Sequence, residues 1–184
     1  MIRVIVILTV VVSSCFAQTK YYQVIDPKTR KFFYGRALPD STKGLVILDC
    51  NNNIQGPFQS TDVKIRQLPK DPCHAQQVVL TGIQLSKLTN AVPLTTNFIA
   101  YKNPETGTLV VSGALNASTI DGAAFSNVFG ADVAHKARSH QLYVTYELEP
   151  NNAKAKLFEL GEQSIEKRTE ASISPQLKMI PELR

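Results

Sequence analysis

Apolar residues along this chain recur mostly at every second position, the spacing of strands with one side turned to a core. The clearest case is Phe98 to Leu115, FIAYKNPETGTLVVSGAL, which predicts a β-hairpin. With Asn103 to Gly107 as its loop, Tyr101 faces Leu109 and Ile99 faces Val111. Ile99, Tyr101, Leu109, Val111 and Leu115 are then the core side, and Phe98, Ala100, Lys102, Thr108, Val110 and Ser112 the wetter one. Pro104 and Gly107 supply the turn chemistry, a preset φ and a φ above zero.

The same reading along the rest of the chain predicts more short strands. Tyr21 to Asp26 and Lys31 to Tyr34 flank Pro27-Lys28-Thr29-Arg30 as a first hairpin. Leu45 to Leu48 is a continuous apolar run, as in a strand buried on both faces, and Val63 and Ile65 alternate with Lys64 and Arg66. Pro69 and Pro72 place Cys73 on a loop, and Gln77 to Leu85 reads as a strand that bends at Gly82. Asp121 is placed to cap a short helix carrying Phe125, Val128, Phe129 and Val133 on one face. Leu142, Val144, Tyr146 and Leu148 alternate with Tyr143, Thr145, Glu147 and Glu149, and after a turn at Pro150 the stretch Ala155 to Leu160 returns as a partner. Asp26-Pro27, Asn103-Pro104 and Glu149-Pro150 all punctuate hairpins. From Glu162 the apolar residues are sparse, which predicts a flexible tail.

The expected fold is therefore mostly β: a single antiparallel β-sandwich or partly closed barrel, with one short helix and a flexible C-terminal tail. Its divisions are a signal peptide over 1–17, one β-rich domain over 18–161 and the tail over 162–184. At 184 residues and 43% hydrophobic content the chain can bury one good core.

The signal peptide rests on Arg3, the apolar run Val4 to Val12, and small residues at Cys15 and Ala17 before Gln18. Cleavage before an acylated Cys15 is the alternative. After cleavage at Ala17 no later run approaches the ~20 apolar residues of a membrane helix, so a secreted protein without a membrane attachment is expected. Cys50 and Cys73 then remain and, in an oxidising compartment, pair as a structural disulfide. Asn116-Ala117-Ser118 is a glycosylation sequon expected on a loop.

Candidate chemistry is thin. Asp49, Asn51 and Asn53 match the first three ligand positions of a calcium loop, but Ile54 and Ser60 break the pattern where Gly and Glu are needed. His74, His135 and His140 are not spaced for one metal, and Asp132 with His135 lacks any accompanying nucleophile motif. Lys167-Arg168 is a dibasic pair in the expected tail. No catalytic residue, metal or cofactor is expected.

The N-terminal third carries more information. Lys20, Lys28, Arg30, Lys31, Arg36 and Lys43 outnumber Asp26 and Asp40, and Tyr21, Tyr22, Phe32, Phe33 and Tyr34 lie among them; the alternative is a hairpin with its aromatic residues in the core and its lysines in water. Cations among flat rings suit a polyanion, so the partner expected is an acidic polysaccharide or acidic matrix protein, not nucleic acid. The chain thus reads as a secreted, non-enzymatic matrix, coat or secretion component. A carrier holding a small apolar ligand in its β-cavity is the alternative. Val78 to Gly82 and Thr108 to Leu115 resemble strands of chordin-type β-domains, without that family's histidine-containing signature, and no residue role follows from the likeness.

Overall fold

A computed structural model of the chain describes residues 19–39, 41–78, 94–115, 141–149, 152–161 and 163–172. These residues form two antiparallel sheets, with no helix among them. The first sheet holds β1 (Tyr21–Asp26), β2 (Lys31–Ala37), β3 (Leu45–Asp49), β4 (Ile54–Phe58) and β5 (Lys64–Leu68), in the order β4-β3-β2-β1-β5. The second holds β6 (Gln76–Gln77), β7 (Leu94–Lys102), β8 (Leu109–Leu115), β9 (Leu142–Glu149), β10 (Asn152–Leu160) and β11 (Ile165–Ser172), in the order β11-β10-β9-β8-β7-β6.

The first sheet has to curl. β4 and β5 end its hydrogen-bonded order, and a flat sheet would hold them ~19 Å apart at ~4.8 Å per strand. Between them the chain turns tightly, with the N–H groups of Asp62 and Val63 both donating to Gln59 O at 3.0 and 3.2 Å. Inside the curl Val24 and Ile47 are wholly buried, and the rings of Phe33 and Phe58 meet at 5.2 Å. Gly35 lies on the same side. A Cβ there would stand 2.0 Å from Leu48 O, so only glycine lets β2 and β3 approach this closely.

The opposite side of this sheet meets the second sheet. Val46, Leu48 and Ile54 pack with Ile99, Tyr101, Val110, Ala114, Tyr143, Phe158 and Leu160 in one core. The other side of the second sheet is buried as well: Val111, Val144, Ala155 and Leu157 are at most 1% exposed. Val46, Ile47 and Leu48 are all wholly buried, as the unbroken apolar run predicts.

Three expectations change. The hairpin register moves by one residue. Asn103 N–H donates to Thr108 O at 2.9 Å and Gly107 N–H to Asn103 O at 2.8 Å, so the loop is Pro104 to Gly107 and Asn103 belongs to the ladder. Tyr101 therefore faces Val110 and Ile99 faces Ser112. Tyr101 and Val110 point to the first sheet, whereas Leu109, Val111 and Leu115 lie on the other buried side. Secondly, the flexible tail expected from 162 instead contributes β11, which pairs with β10 from Ile165↔Leu160 to Ser172↔Lys154. Its sparse apolar residues are those of a charged edge strand, and Lys167-Arg168 sits within that ladder. Thirdly, Ala100, Val110 and Ser112, expected on the wetter side of the hairpin, are buried, as are Tyr143 and Thr145 on the neighbouring strand. The expected helix from Asp121, the strand beyond Val78 and Asn116 lie outside the described residues.

Replacing Gly35 with alanine forces backbone of β2 and β3 apart. Gly35→Ala is expected to destabilise the protein by about 1–3 kcal/mol, read as a lowered urea midpoint.

Candidate functional site

Two hairpin loops of this protein share one design. Asp26-Pro27-Lys28-Thr29-Arg30 and Asn103-Pro104-Glu105-Thr106-Gly107 each begin with a side chain whose Oδ1 accepts the N–H groups two and three residues on. Each places proline next and ends in a left-handed residue, at φ 57° for Arg30 and 71° for Gly107. Glycine adopts that conformation freely, whereas arginine there costs roughly 1 kcal/mol. The first loop thus presents Lys28, Arg30 and Lys31 to solvent at the tip of β1 and β2, with one cation held at a backbone position that suits glycine.

The register of β1 with its two neighbours builds a platform beside this tip. Ile25 pairs with Phe32 on one flank and Lys64 on the other, and Gln23 pairs with Tyr34 and Arg66. Directly paired residues share a face, so Phe32, Tyr34, Ile25, Gln23, Lys64 and Arg66 form two three-residue rows on one side. Phe32 is 59% exposed and Tyr34 40%, and Lys64 and Arg66 are exposed too. Gln23 Nε2 donates to Tyr34 Oη at 3.0 Å. Lys28 faces Asp62 at 3.8 Å in a solvent-exposed pair worth little. The Asp26 carboxylate is occupied by the loop, and the 2.6 Å hydrogen bond from Thr29 Oγ1 holds its pKa below the ordinary value.

Arg36 does not belong to this surface, which corrects its expected place among polyanion-binding residues. It occupies the next row, opposite Tyr21 and Leu48, where the second sheet closes over the first. It is 1% exposed. Its Nη2 donates to Asp71 Oδ2 and, at 3.3 Å, to Ala75 O, and its guanidinium carbon stands 3.6 Å from the Tyr101 ring centroid. Asp71 Oδ1 accepts Cys73 N–H at 2.8 Å. Cys73 is bonded to Cys50, as expected. The loop from β5 to β6 is thereby wrapped around one buried cation. Burial drives the Tyr101 phenol well above its usual pKa, against the opposing pull of Arg36, and its hydroxyl donates to Asn52 Oδ1.

Beside this cluster lies a cleft of about 200 Å³ lined by Arg36, Asn52, Tyr101, Thr108, Glu147 and Glu149 together with the disulfide. Glu147 is paired with Lys156 at 2.6 Å. The calcium-like stretch works as a turn: Asp49 Oδ1 accepts the N–H groups of Asn51 and Asn53, both at 2.9 Å, and Asp49 Oδ2 accepts Gln55 Nε2. His74 is exposed at φ 56°. Asp132, His135 and His140 lie outside the described residues.

Lys64 and Arg66 are the platform residues that sequence reasoning did not assign to the site. Their alternation with Val63 and Ile65 marks a wet face, but only the pairing of β5 with β1 sets that face beside the aromatic hairpin. Comparison with protein-family models, curated proteins and solved structures finds no match.

Asp71→Asn keeps the acceptor for Cys73 N–H but leaves a buried charge unpaired. It is expected to destabilise by about 3–5 kcal/mol in urea melts with the disulfide intact, while Lys167→Gln, at an exposed ion pair, changes stability by less than ~0.5 kcal/mol. Thr29→Val removes the main cause of the Asp26 shift and is expected to raise that pKa in an NMR titration. A carboxylate with a depressed folded pKa stabilises above its unfolded pKa and loses that contribution as pH falls through the folded one. The wild-type contribution should accordingly persist to lower pH than that of Thr29→Val.

Proposed function

We propose that this is a secreted, non-enzymatic matrix, coat or secretion protein that binds an acidic partner through the face of β2, β1 and β5 and the adjoining loop. The observation that carries the reading is the register that sets exposed Phe32 and Tyr34 across Ile25 and Gln23 from Lys64 and Arg66. Lys28, Arg30 and Lys31 extend the same positive surface to the loop. Against these five cations stand Asp26, whose carboxylate the loop uses, and Asp62, which faces Lys28. Large apolar rings left in water on a charged sheet are the residues a folded protein otherwise tucks away, and aromatic groups with arginine are those enriched at binding surfaces.

Export is supported by the leader pattern over 1–17 and by the disulfide, a bond characteristic of oxidising compartments. Within that setting the domain is read as a β-sandwich whose first sheet curls toward a barrel. The carrier alternative gains little: the cleft between the sheets is walled by Arg, Asn, Thr and Glu side chains, and its volume of about 200 Å³ is below the range, roughly 300–1,000 Å³, of ligand pockets.

Arg30 separates the binding role from the folding role. Arg30→Gly relieves the left-handed strain and removes one cation, so it is expected to raise stability by roughly 0.5–1 kcal/mol and to elute from heparin at lower salt than the wild type. Absence of wild-type retention even at low salt, where charge attraction is strongest, is the result that would refute the proposal.

A further inference from the structure

We infer that the partner of the β2–β1–β5 face is an acidic polysaccharide, its sugar rings lying on Phe32 and Tyr34 and its carboxylate or sulfate groups meeting Lys64 and Arg66. This rests on the acidic-partner reading above and narrows it to one chemical class.

The platform has three zones, each suited to a different part of such a ligand. Along β2 the two exposed rings are two residues apart, ~7 Å, on the same side of the strand. Their π-faces carry negative charge density, which favours the C–H groups on the flat side of a pyranose. Along β5 two cations repeat at the same spacing, two strands or ~10 Å away from the rings. Between them lies Gln23, whose Nε2 donates to Tyr34 Oη. That orientation leaves the Tyr34 O–H to donate and Gln23 Oε1 to accept, the complementary pair that sugar hydroxyl groups require.

A polycarboxylate peptide would use the cations and could accept the Tyr34 O–H, but its carboxylates offer no pyranose face to cover the rings and no hydroxyl group for Gln23 Oε1. The nine positions formed by the rows through Tyr21, Gln23 and Ile25 hold Arg36, Tyr34, Phe32, Leu68, Arg66 and Lys64 as their partners, and no acid is among them. A polyanion on this face therefore meets no like charge from the rows themselves. The row through Tyr21 is closed by the second sheet at Arg36, so the ligand lies on the two open rows and extends toward the basic loop.

The chain contains no tryptophan, so Phe32→Trp in the full-length, secreted, disulfide-intact protein gives a fluorophore on the platform itself. Polygalacturonate, poly-L-glutamate of equal charge and neutral dextran are titrated at low salt, with calorimetry on the wild type in parallel. The expected result is a blue shift with polygalacturonate and affinity about tenfold above that for polyglutamate. Tyr34→Ala should abolish that preference without weakening polyglutamate, whereas Lys64→Gln with Arg66→Gln should weaken both. Equal affinity for the two polyanions with no emission change would overturn the polysaccharide assignment and leave the acidic-partner reading standing. Binding of neither polyanion would overturn both.

Discussion

Burying a guanidinium group between two sheets costs several kcal/mol in lost hydration unless partners replace the water. Arg36 receives those partners from separate parts of the chain: Asp71 and Ala75 from the loop joining the sheets, Tyr101 from the second sheet, and the Tyr21 ring, 6.0 Å away, from its own. The hydrogen bonds are made by Nη2, and an unpaired charge at 1% exposure is far less favourable than this assembled set. A buried ion pair of this kind is a poor argument for net stability. It is a better argument for geometry, since it penalises alternative placements of the loop and of the two sheets. Cys50–Cys73 reinforces the same junction by tying the turn after β3 to the loop that carries Asp71.

That junction also decides which part of the first sheet stays open. Along the face shared by β1, β2 and β5, the row of Tyr21, Arg36 and Leu68 meets the second sheet, and the two rows beyond it do not enter the common core. The aromatic and basic residues of those rows stand on three hydrogen-bonded strands whose other side is packed around Val24 and Phe33. Side chains displayed on strands supported in this way are held more narrowly than on a loop. The proposed surface and the buried cation are thus consecutive parts of one β-ribbon, separated by where the second layer stops.

Local chemistry was readable from the residues, and long-range placement was not. Asp26-Pro27 and Asn103-Pro104 announced hairpin loops because their capping side chains and proline act within five residues. The register of the second hairpin was lost over a single question, whether Asn103 pairs or turns. Both sides of β8 are buried, so its hydrophobic pattern held no polar face to arbitrate. Arg36 looked like its neighbours Arg30 and Lys31 because alternation along a strand says which side a residue takes, and not whether another sheet covers that side. Lys64 and Arg66 join the aromatic rows only through the pairing of β5 with β1, which sets Ile25 against Lys64, 39 residues on, and Gln23 against Arg66, 43 residues on, separations invisible to any local window. β11 escaped notice because charged, weakly apolar sequences serve edge strands as well as tails.

The two matched loops offer an internal comparison that bears on function. They share a capping Oδ1, the proline, the threonine and a left-handed closing residue, and they differ in Asp26 against Asn103, Lys28 against Glu105 and Arg30 against Gly107. Gly107 meets no neighbouring atom within 4 Å of a would-be Cβ, so space does not dictate its identity; its backbone conformation does. The same conformation at Arg30 is adopted against that preference, in the loop that adjoins exposed rings and cations. Arg30 is exposed, and it holds the left-handed conformation without the glycine that adopts it freely at the matching place in the other loop. Binding of a negatively charged surface by this loop, as proposed above, would offset that cost.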